Sequence, residues 1–247
     1  MIKGIYASGS GLRPRMMKLE IIGNNLANIN TTGYKKENVF IQLMKDSGLN
    51  MAKGNGELAG LDVKEYTDYS EGSLNQTANQ LDLAIQGRGF FVVETPQGER
   101  YTRNGNFMLT ADGTVVTNEG YPVLGKNGRI QIPDLHRLTQ GELTISEKGE
   151  LFVDNRMIAQ VRVDDFDDLS ALKKDGHSLL AAPAPGKTIT PDGTTSIIRQ
   201  GYLEESNVDG IEEMIMMVEL SRSFETDQKS VQYQDGTLER AMDVGRL

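Results

Sequence analysis

The sequence lacks cysteine and tryptophan, and only two of its 247 residues are histidines. Without cysteine the chain can form neither a disulfide framework nor a thiolate metal site. His136 and His177 are too far apart in sequence to resemble the closely spaced ligand pairs of zinc sites. These absences exclude a disulfide-stapled scaffold and argue against a zinc centre.

Long apolar runs are also absent. The longest, residues 214–218, is far shorter than the ~20 residues that a membrane-spanning helix needs. The N-terminus lacks the apolar core of roughly 7 to 15 residues that a secretory signal peptide has. We therefore expect a protein that is not embedded in a membrane and has no cleaved signal.

The charge of the chain argues against nucleic-acid binding. There are 26 basic and 35 acidic residues, a formal net charge of −9, whereas nucleic-acid-binding proteins need a basic face to neutralise phosphates. Residues 1–53 contain eight Lys or Arg and three Asp or Glu, and residues 204–247 contain four and eleven. Oppositely charged ends that also carry apolar stripes favour pairing of the two termini.

Apolar residues recur every seven positions between residues 2 and 29, as in a coiled-coil seam. The predicted N-terminal assembly seam consists of Ile5, Leu12, Met16, Leu19 and Leu26. Each glycine destabilises this helix by about 1 kcal/mol relative to alanine. Pro14 destabilises it by roughly 3 kcal/mol if it lies in the helix interior. We expect a helix that is weak alone, with Pro14 either inside it or at its first position. The alternative to a seam is an ordinary surface helix that packs on the core of the same chain.

The helical pattern stops in an asparagine-rich segment, residues 24–36. Asparagine competes for backbone hydrogen bonds, and glycine readily takes the left-handed conformation that ends helices. We interpret this segment as a hinge, with an ordinary helix end as the alternative. The hinge motif consists of Asn24, Asn25, Asn28, Thr31, Gly33 and Tyr34.

The middle of the chain has a strand pattern. Residues 45–71 are rich in glycine and poor in apolar side chains, which predicts a flexible connector. From residue 72 to 205 the apolar period becomes two, and Asp-Gly at 112–113 and Asn-Gly at 127–128 indicate tight hairpin turns. This stretch is predicted to form an antiparallel β domain, either sandwich-like or barrel-like.

A second long helix is predicted from about residue 207 to 243. Ser206 and Asn207 are good N-cap residues, and acidic residues follow in the first turn. The predicted C-terminal assembly seam consists of Ile211, Met217, Phe224, Val231 and Leu238. At 1.5 Å per residue such a helix is about 55 Å long, too long to fold comfortably onto a small β domain.

No motif indicates catalysis or a bound cofactor. The Gly-Arg-Gly at 87–89 lacks the third glycine and the following helix of a dinucleotide site, and the acidic run at 164–168 lacks the spacing of a calcium loop. No nucleophile elbow accompanies either histidine. We therefore predict that the protein is not an enzyme and holds neither metal nor cofactor.

The predicted fold class is α+β, with N- and C-terminal helices paired as a coiled-coil-like layer and a central antiparallel β domain. Four segments follow from this pattern. They are the N-terminal helix and hinge (1–44), the glycine-rich connector (45–71), the β domain (72–205) and the C-terminal helix (206–247).

Three stretches of the sequence are distinctive: Asn-Asn-Leu-Ala-Asn-Ile-Asn-Thr-Thr-Gly-Tyr-Lys at 24–35 together with 8–12; Asp-Leu-Ala-Ile-Gln-Gly-Arg-Gly-Phe-Phe at 82–91 with Tyr-Thr-Arg-Asn-Gly at 101–105; and Gln-Gly-Tyr-Leu-Glu-Glu-Ser-Asn-Val at 200–208, continuing to residue 229. In these stretches the sequence closely resembles the bacterial flagellar basal-body rod and hook family. The resemblance implies a structural subunit whose terminal helices assemble with other copies and other axial proteins into the torque-transmitting rod.

The resemblance also implies export through the flagellar type III apparatus to the periplasmic part of the basal body, with rod-surrounding rings and peptidoglycan as possible neighbours. Residues 45–61 look shorter than the insertion of distal-rod relatives, which favours a proximal-rod subunit over a distal-rod or hook-like one. Arg13-Pro14-Arg15 departs from the proline-free helix of relatives. The alternative from another class is a secreted oligomeric binding module or adhesin, and a cell-wall hydrolase is a weaker third.

Overall fold

The computed structural model describes residues 2–43, 61–133, 143–176, 178–191 and 196–244. The chain divides into two compact units. The helical unit comprises Met1–Ala27, Glu37–Asp68 and Val208–Leu247, and the β unit comprises Asn28–Lys36 and Tyr69–Asn207. The chain thus has an α+β fold in which a long helix lies near each terminus.

Among the residues that the structure describes, the helical unit contains two helices and a pair of antiparallel strands. Helix α1 (Ile2–Ala27) is in contact with helix α2 (Gly210–Val244), and Arg15 of α1 forms an ion pair with Asp227 of α2. Strand β1 (Glu37–Leu43) pairs antiparallel with β2 (Leu61–Thr67) over their full length. β2 lies where the sequence predicted part of a flexible connector. That prediction is wrong for residues 61–67, because every β2 residue pairs with one of β1.

Pro14 lies inside α1, so the alternative that it begins the helix is wrong. A proline has no N–H, and an interior one therefore leaves the carbonyl four residues earlier without its helical donor. The side chain of Pro14 is buried.

Helix α2 begins later than predicted. The carboxylate of Asp209 accepts hydrogen bonds from the backbone N–H groups of Ile211 (2.9 Å) and Glu212 (3.2 Å), which makes it the N-cap residue. The prediction of Ser206 or Asn207 as the cap is therefore wrong. Asn207 is engaged within the β unit, where its Oδ1 accepts from the backbone N–H of Lys36 at 2.7 Å.

The β unit consists of short, antiparallel strands. They are β3 (Leu74–Gln76), β4 (Leu83–Gly87), β5 (Phe90–Thr95), β6 (Gly98–Thr102), β7 (Phe107–Leu109), β8 (Val115–Thr117), β9 (Leu124–Gly125), β10 (Gly128–Arg129), β11 (Leu143–Ile145), β12 (Glu150–Val153), β13 (Arg156–Gln160), β14 (Val163–Asp165), β15 (Lys173–Lys174), β16 (Leu179–Ala181), β17 (Lys187–Ile189), β18 (Ser196–Gln200) and β19 (Tyr202–Glu204). The largest sheet has the order β15-β16-β6-β5-β14-β17, and β19 pairs with β3 while β18 pairs with β4.

Strand β5 supplies both parts of the core. Its side chains alternate between the two faces of the sheet, as in any strand. Phe91 and Val93 join the larger apolar cluster, in which Phe91 packs edge-to-face on Phe107 with ring centroids 5.2 Å apart. Phe90 and Val92 join a smaller cluster on the other face. The continuous apolar run of β5 is thus explained by burial on both sides.

The predicted hairpin turns are present. Gly113, between β7 and β8, and Gly128, the first residue of β10, both have positive φ, which such turns require. Among the helices of the described residues, none is long and apolar enough to cross a membrane.

Candidate functional site

The three stretches that carry the family resemblance meet at one carboxylate within the β unit. Glu204, at the end of β19, is fully buried. Its Oε1 accepts a hydrogen bond from Lys35 Nζ at 2.5 Å, and its Oε2 accepts one from Arg103 Nη1 at 3.1 Å. We call Lys35, Arg103 and Glu204 the buried triad; each comes from a different stretch.

The cations of the triad are held on several sides. Lys35 Nζ also donates to the backbone oxygen of Ser70 at 2.6 Å. Arg103 donates to the backbone oxygens of Ile85 (3.1 Å) and Gly87 (2.7 Å), and its guanidinium lies 5.2 Å from the ring centroid of Phe90. These contacts fix the segment before β3, the middle and the end of β4, and the segment after α1 relative to one another.

The triad carries one negative and two positive charges. Burial lowers the pKa of Lys35, and the neighbouring Glu204 carboxylate opposes that shift. Removing ions from water is costly, and a buried pair repays this only when its remaining polar atoms are hydrogen-bonded. Here the backbone N–H of Gly72 adds a further donor to Glu204 Oε1 at 3.1 Å. A carboxylate coordinated in this way serves to hold segments together.

Gly33 locks the hinge motif onto the same site. Its φ of 68° is left-handed, and its N–H donates to the backbone oxygen of Glu204 at 2.7 Å. A Cβ at this position would lie 2.4 Å from the backbone nitrogen of Asn104. Only glycine fits both the conformation and the space.

The neighbouring hinge residues are also engaged. The ring of Tyr34 is buried, and Lys174 Nζ lies 4.0 Å from its centroid and donates to the backbone oxygen of Lys35 at 2.8 Å. Thr31 donates from its N–H to the backbone oxygen of Asn28 and from its hydroxyl to the side-chain oxygen of the same residue, both at 3.1 Å. From Asn28 to Lys36 the segment is therefore an integral part of the β unit.

Asn25 has a separate role inside the helical unit. Its buried amide accepts from the backbone N–H of Glu37 at 3.0 Å and donates to the backbone oxygen of the same residue at 2.9 Å. These two hydrogen bonds match those that a neighbouring strand would make with the backbone of Glu37, at the start of β1. The side chain also lies 3.5 Å from the buried carboxylate of Glu213 on α2. Asn24 is exposed.

The predicted N-terminal seam is not the buried face of α1. Met16 is exposed and Leu19 and Leu26 are half-buried, whereas Ile21 and Ile22 are buried. The side chains of Ile5 and Leu12 lie outside the described residues. The adjacent isoleucines are the sequence signal for this second face, and they lie outside the seven-residue repeat.

The predicted C-terminal seam combines two faces of α2. Met217 and Phe224 are half-buried, whereas Ile211 is strongly exposed. Ile211 belongs with Met214, Ile215 and Val218, which are also exposed and share its face at helical spacing. The side chains of Val231 and Leu238 lie outside the described residues.

The acidic run at 164–168 does not gather into a metal centre. Asp164 is buried and pairs with the guanidinium of Arg162 at 2.6 Å. Across the part of the chain that the structure describes, no three acidic or histidine side chains are placed to hold a metal ion.

Family models match three parts of the chain. A model described as Flagella basal body rod protein matches residues 5–35, one described as Flagellar hook protein FlgE/F/G D1 domain matches residues 84–153, and one described as Flagellar basal body rod FlgEFG protein C-terminal matches residues 199–244. Each of the three triad residues lies in or at the edge of a different matched region.

Relatives match along the whole chain. Flagellar basal-body rod protein FlgG of Bacillus subtilis is 31% identical over 264 positions, covering 100% of both chains. Flagellar basal-body rod protein FlgF of Caulobacter vibrioides is 34% identical over 229 positions, covering 92% of this chain and 91% of the relative. FlgF of Rhizobium meliloti is 30% identical over 247 positions, covering 99% of this chain and 98% of the relative.

Proposed function

Because the chain belongs to the flagellar basal-body rod protein family, a structural and non-enzymatic family, we propose that it is a subunit of the axial rod that assembles through its terminal helices and transmits torque. Its partners are other copies of itself and other axial flagellar proteins. Its location is the flagellar basal body.

One observation carries the proposal: the helical unit leaves much of its apolar surface uncovered. Of the large apolar side chains that are exposed among the described residues, most belong to this unit, although it is the smaller one. They are Met16, Phe40, Tyr66, Ile211, Met214, Ile215, Val218 and Tyr233. Exposed apolar surface of this extent is typical of a protein interface. An axial subunit would cover it with neighbouring subunits.

The two termini also have complementary charge, which favours their pairing. The basic N-terminal region and the acidic C-terminal region meet in the ion pair of Arg15 with Asp227. We propose that α1 and α2 wind around each other in a coiled-coil-like layer and that the seam residues Leu19 and Leu26 pack against neighbouring copies. For the β unit we propose a sandwich-like core.

The length of the chain supports a proximal position in the rod. The alignment with FlgG of Bacillus subtilis needs 264 positions for this chain of 247 residues, so that relative carries residues that this chain lacks. The alignment with FlgF of Rhizobium meliloti needs 247 positions for nearly the same coverage. A chain without a long insertion fits the proximal rod, and a distal-rod or hook-like position is the alternative.

Export is the remaining part of the proposal. We expect passage through the flagellar type III apparatus without a cleaved signal, followed by assembly in the periplasmic part of the basal body beside the rod-surrounding rings and peptidoglycan. A thin helical seam suits this route because α1 and α2 gain much of their stability only on assembly.

The test is immunogold labelling of purified hook–basal bodies with antibody raised to the β unit, combined with a deletion strain scored for motility. We expect label on the rod and loss of filaments, with the height of the label separating proximal from distal positions. Full motility and absence of label would contradict the proposal and favour a secreted binding module.

A further inference from the structure

One side chain in the β unit joins the segments through which the chain enters and leaves that unit. The backbone passes between the two units after Ala27, Lys36, Asp68 and Asn207. Asn207 Oδ1 accepts a hydrogen bond from the backbone N–H of Lys36 at 2.7 Å. Its Nδ2 donates to the backbone oxygen of Ser70 at 3.2 Å and to the hydroxyl of Ser70 at 3.0 Å. We call Lys36, Ser70 and Asn207 the exit clamp.

Asparagine has the chemistry that this position needs. The backbone N–H of Lys36 can only donate and the backbone oxygen of Ser70 can only accept, so the two neighbours determine the orientation of the carboxamide between them. An ionised aspartate would accept from Lys36 but could not donate to Ser70. The hydrogen bonds of Asn207 therefore bridge two segments, while Asp209 supplies the cap of α2.

The buried triad joins the same segments inside the β unit. Lys35 Nζ donates to the same backbone oxygen of Ser70 at 2.6 Å, and Glu204 Oε1 accepts from the backbone N–H of Gly72 at 3.1 Å. The backbone oxygen of Glu204 accepts from the N–H of Gly33 at 2.7 Å. The ends of the crossings at 36–37, 68–69 and 207–208 are thus hydrogen-bonded to one another both in the interior and nearer the surface, where Asn207 is half-buried.

We propose that Asn207 is a positioning residue that couples these crossings, so that the connecting segments leave the β unit as one group and not as independent hinges. Every residue of a free connection adds two soft dihedral angles, and hinges form at a few such residues. Hydrogen bonds between the ends of the connections remove part of this freedom. In a rod subunit the coupling would limit the relative motion of the two units under torque, a consequence that rests on the proposed function.

Hydrogen exchange of the purified full-length chain distinguishes a clamp from a local contact. In Asn207→Ala the amide of Lys36 should exchange about tenfold faster, because it loses its acceptor. The amide of Gly72, which donates to Glu204 and not to Asn207, should also exchange faster, because its segment loses the two hydrogen bonds at Ser70. Amides of β5 should exchange as in the wild type.

Asn79→Ala is the matched control. Asn79 is an asparagine of the β unit whose side chain also makes two hydrogen bonds, donating to Asp82 Oδ1 at 2.9 Å and accepting from the N–H of Leu81 at 3.1 Å. These bonds lie within one segment and join no crossings. The control should therefore exchange faster near Leu81, with the amides of Lys36 and Gly72 unchanged.

The absence of cysteine permits a second measurement that a loss of stability alone does not affect. Spin labels are attached at Phe40→Cys in the helical unit and Met157→Cys in the β unit, both exposed positions. Pulsed electron paramagnetic resonance then gives the distribution of distances between the labels in the folded chain. We expect Asn207→Ala to broaden this distribution and Asn79→Ala to leave its width unchanged.

The outcomes separate the clamp from the rod assignment, because both measurements use the purified chain. Faster exchange at Lys36 alone in Asn207→Ala, or equal widths in the wild type and both variants, would overturn the clamp and leave the rod assignment intact. Absence of immunogold label from basal bodies would overturn the rod assignment, and the clamp would stand as a property of the fold.

Discussion

The two units of this chain differ in how far they bury their apolar side chains and neutralise their charged ones. The β unit encloses its aromatic and aliphatic side chains in two clusters and neutralises Glu204 with two cations that lie 169 and 101 residues away in sequence. The helical unit leaves apolar side chains on α2 and on the β1–β2 pair exposed. Enclosed apolar side chains stabilise a unit from within, whereas an exposed apolar stripe is typical of an interface, which is the basis of the assembly proposed for the helical unit.

The largest expected effect comes from the buried triad. Glu204→Gln leaves two buried cations without their carboxylate and should destabilise the β unit by about 3 to 5 kcal/mol. Thermal unfolding followed by circular dichroism measures this loss. The neighbouring Glu205→Gln, at an exposed position, should change the free energy of unfolding by less than about 0.5 kcal/mol. Equal effects of the two substitutions would refute the structural role of the triad.

Gly33→Ala should rank next, at roughly 2 to 4 kcal/mol, because alanine adds backbone strain and a clash with the backbone of Asn104. Gly120→Ala is the matched control: its φ of 87° is also positive, but a Cβ there meets nothing within 4 Å. The control should show only the strain of about 1 kcal/mol. Chemical denaturation of both variants gives the comparison, and a Gly33 variant as stable as the control would be evidence against close packing of the hinge motif.

Asn25→Ala should act on the helical unit and leave the β unit almost unchanged. It removes two hydrogen bonds to the backbone of Glu37, each contributing on the order of 1 kcal/mol. Hydrogen exchange at Glu37 should therefore become faster while exchange in β5 stays the same. Faster exchange in both units would mean that Asn25 supports the whole chain.

Leu19→Asp should have the smallest effect on the β unit, with no measurable change in its unfolding transition, and yet abolish incorporation into the rod. Val231→Asp is expected to act in the same way. A charged side chain in a seam that packs against neighbours would be buried without a partner. Incorporation of both variants at the wild-type level would remove these positions from the proposed assembly surface.

The sequence predicted the order of elements well where local chemistry decides the structure. The helix endings, the turns at Gly113 and Gly128, and the alternating strands all follow from residues close together in the chain. The hinge motif was also identified as important, although the reason for its importance is tertiary. Asn28 to Lys36 join the β unit through hydrogen bonds with Glu204 and Asn207, which no local sequence pattern predicts.

Other features were predicted wrongly or not at all, because the sequence contains more than one pattern or candidate residue for them. Helix α1 offers two apolar faces, and the seven-residue repeat favoured the one that the folded chain leaves partly open, with Met16 exposed and Ile22 buried. The sequence pattern did not predict strand β2, because a glycine-rich stretch separates it from its pairing partner β1. Asp209 rather than Asn207 is the N-cap residue, because the Asn207 side chain is hydrogen-bonded to Lys36 within the β unit.

Hydrogen exchange on the purified monomer and on isolated basal bodies would test the contrast between the two units. We predict that amides of Gly33 and of β5 are strongly protected in both samples. Amides of α1 and of the first turns of α2 should exchange quickly in the monomer and become protected in basal bodies. Equal protection of both units in the monomer would contradict the conclusion that the helical unit is completed by its neighbours.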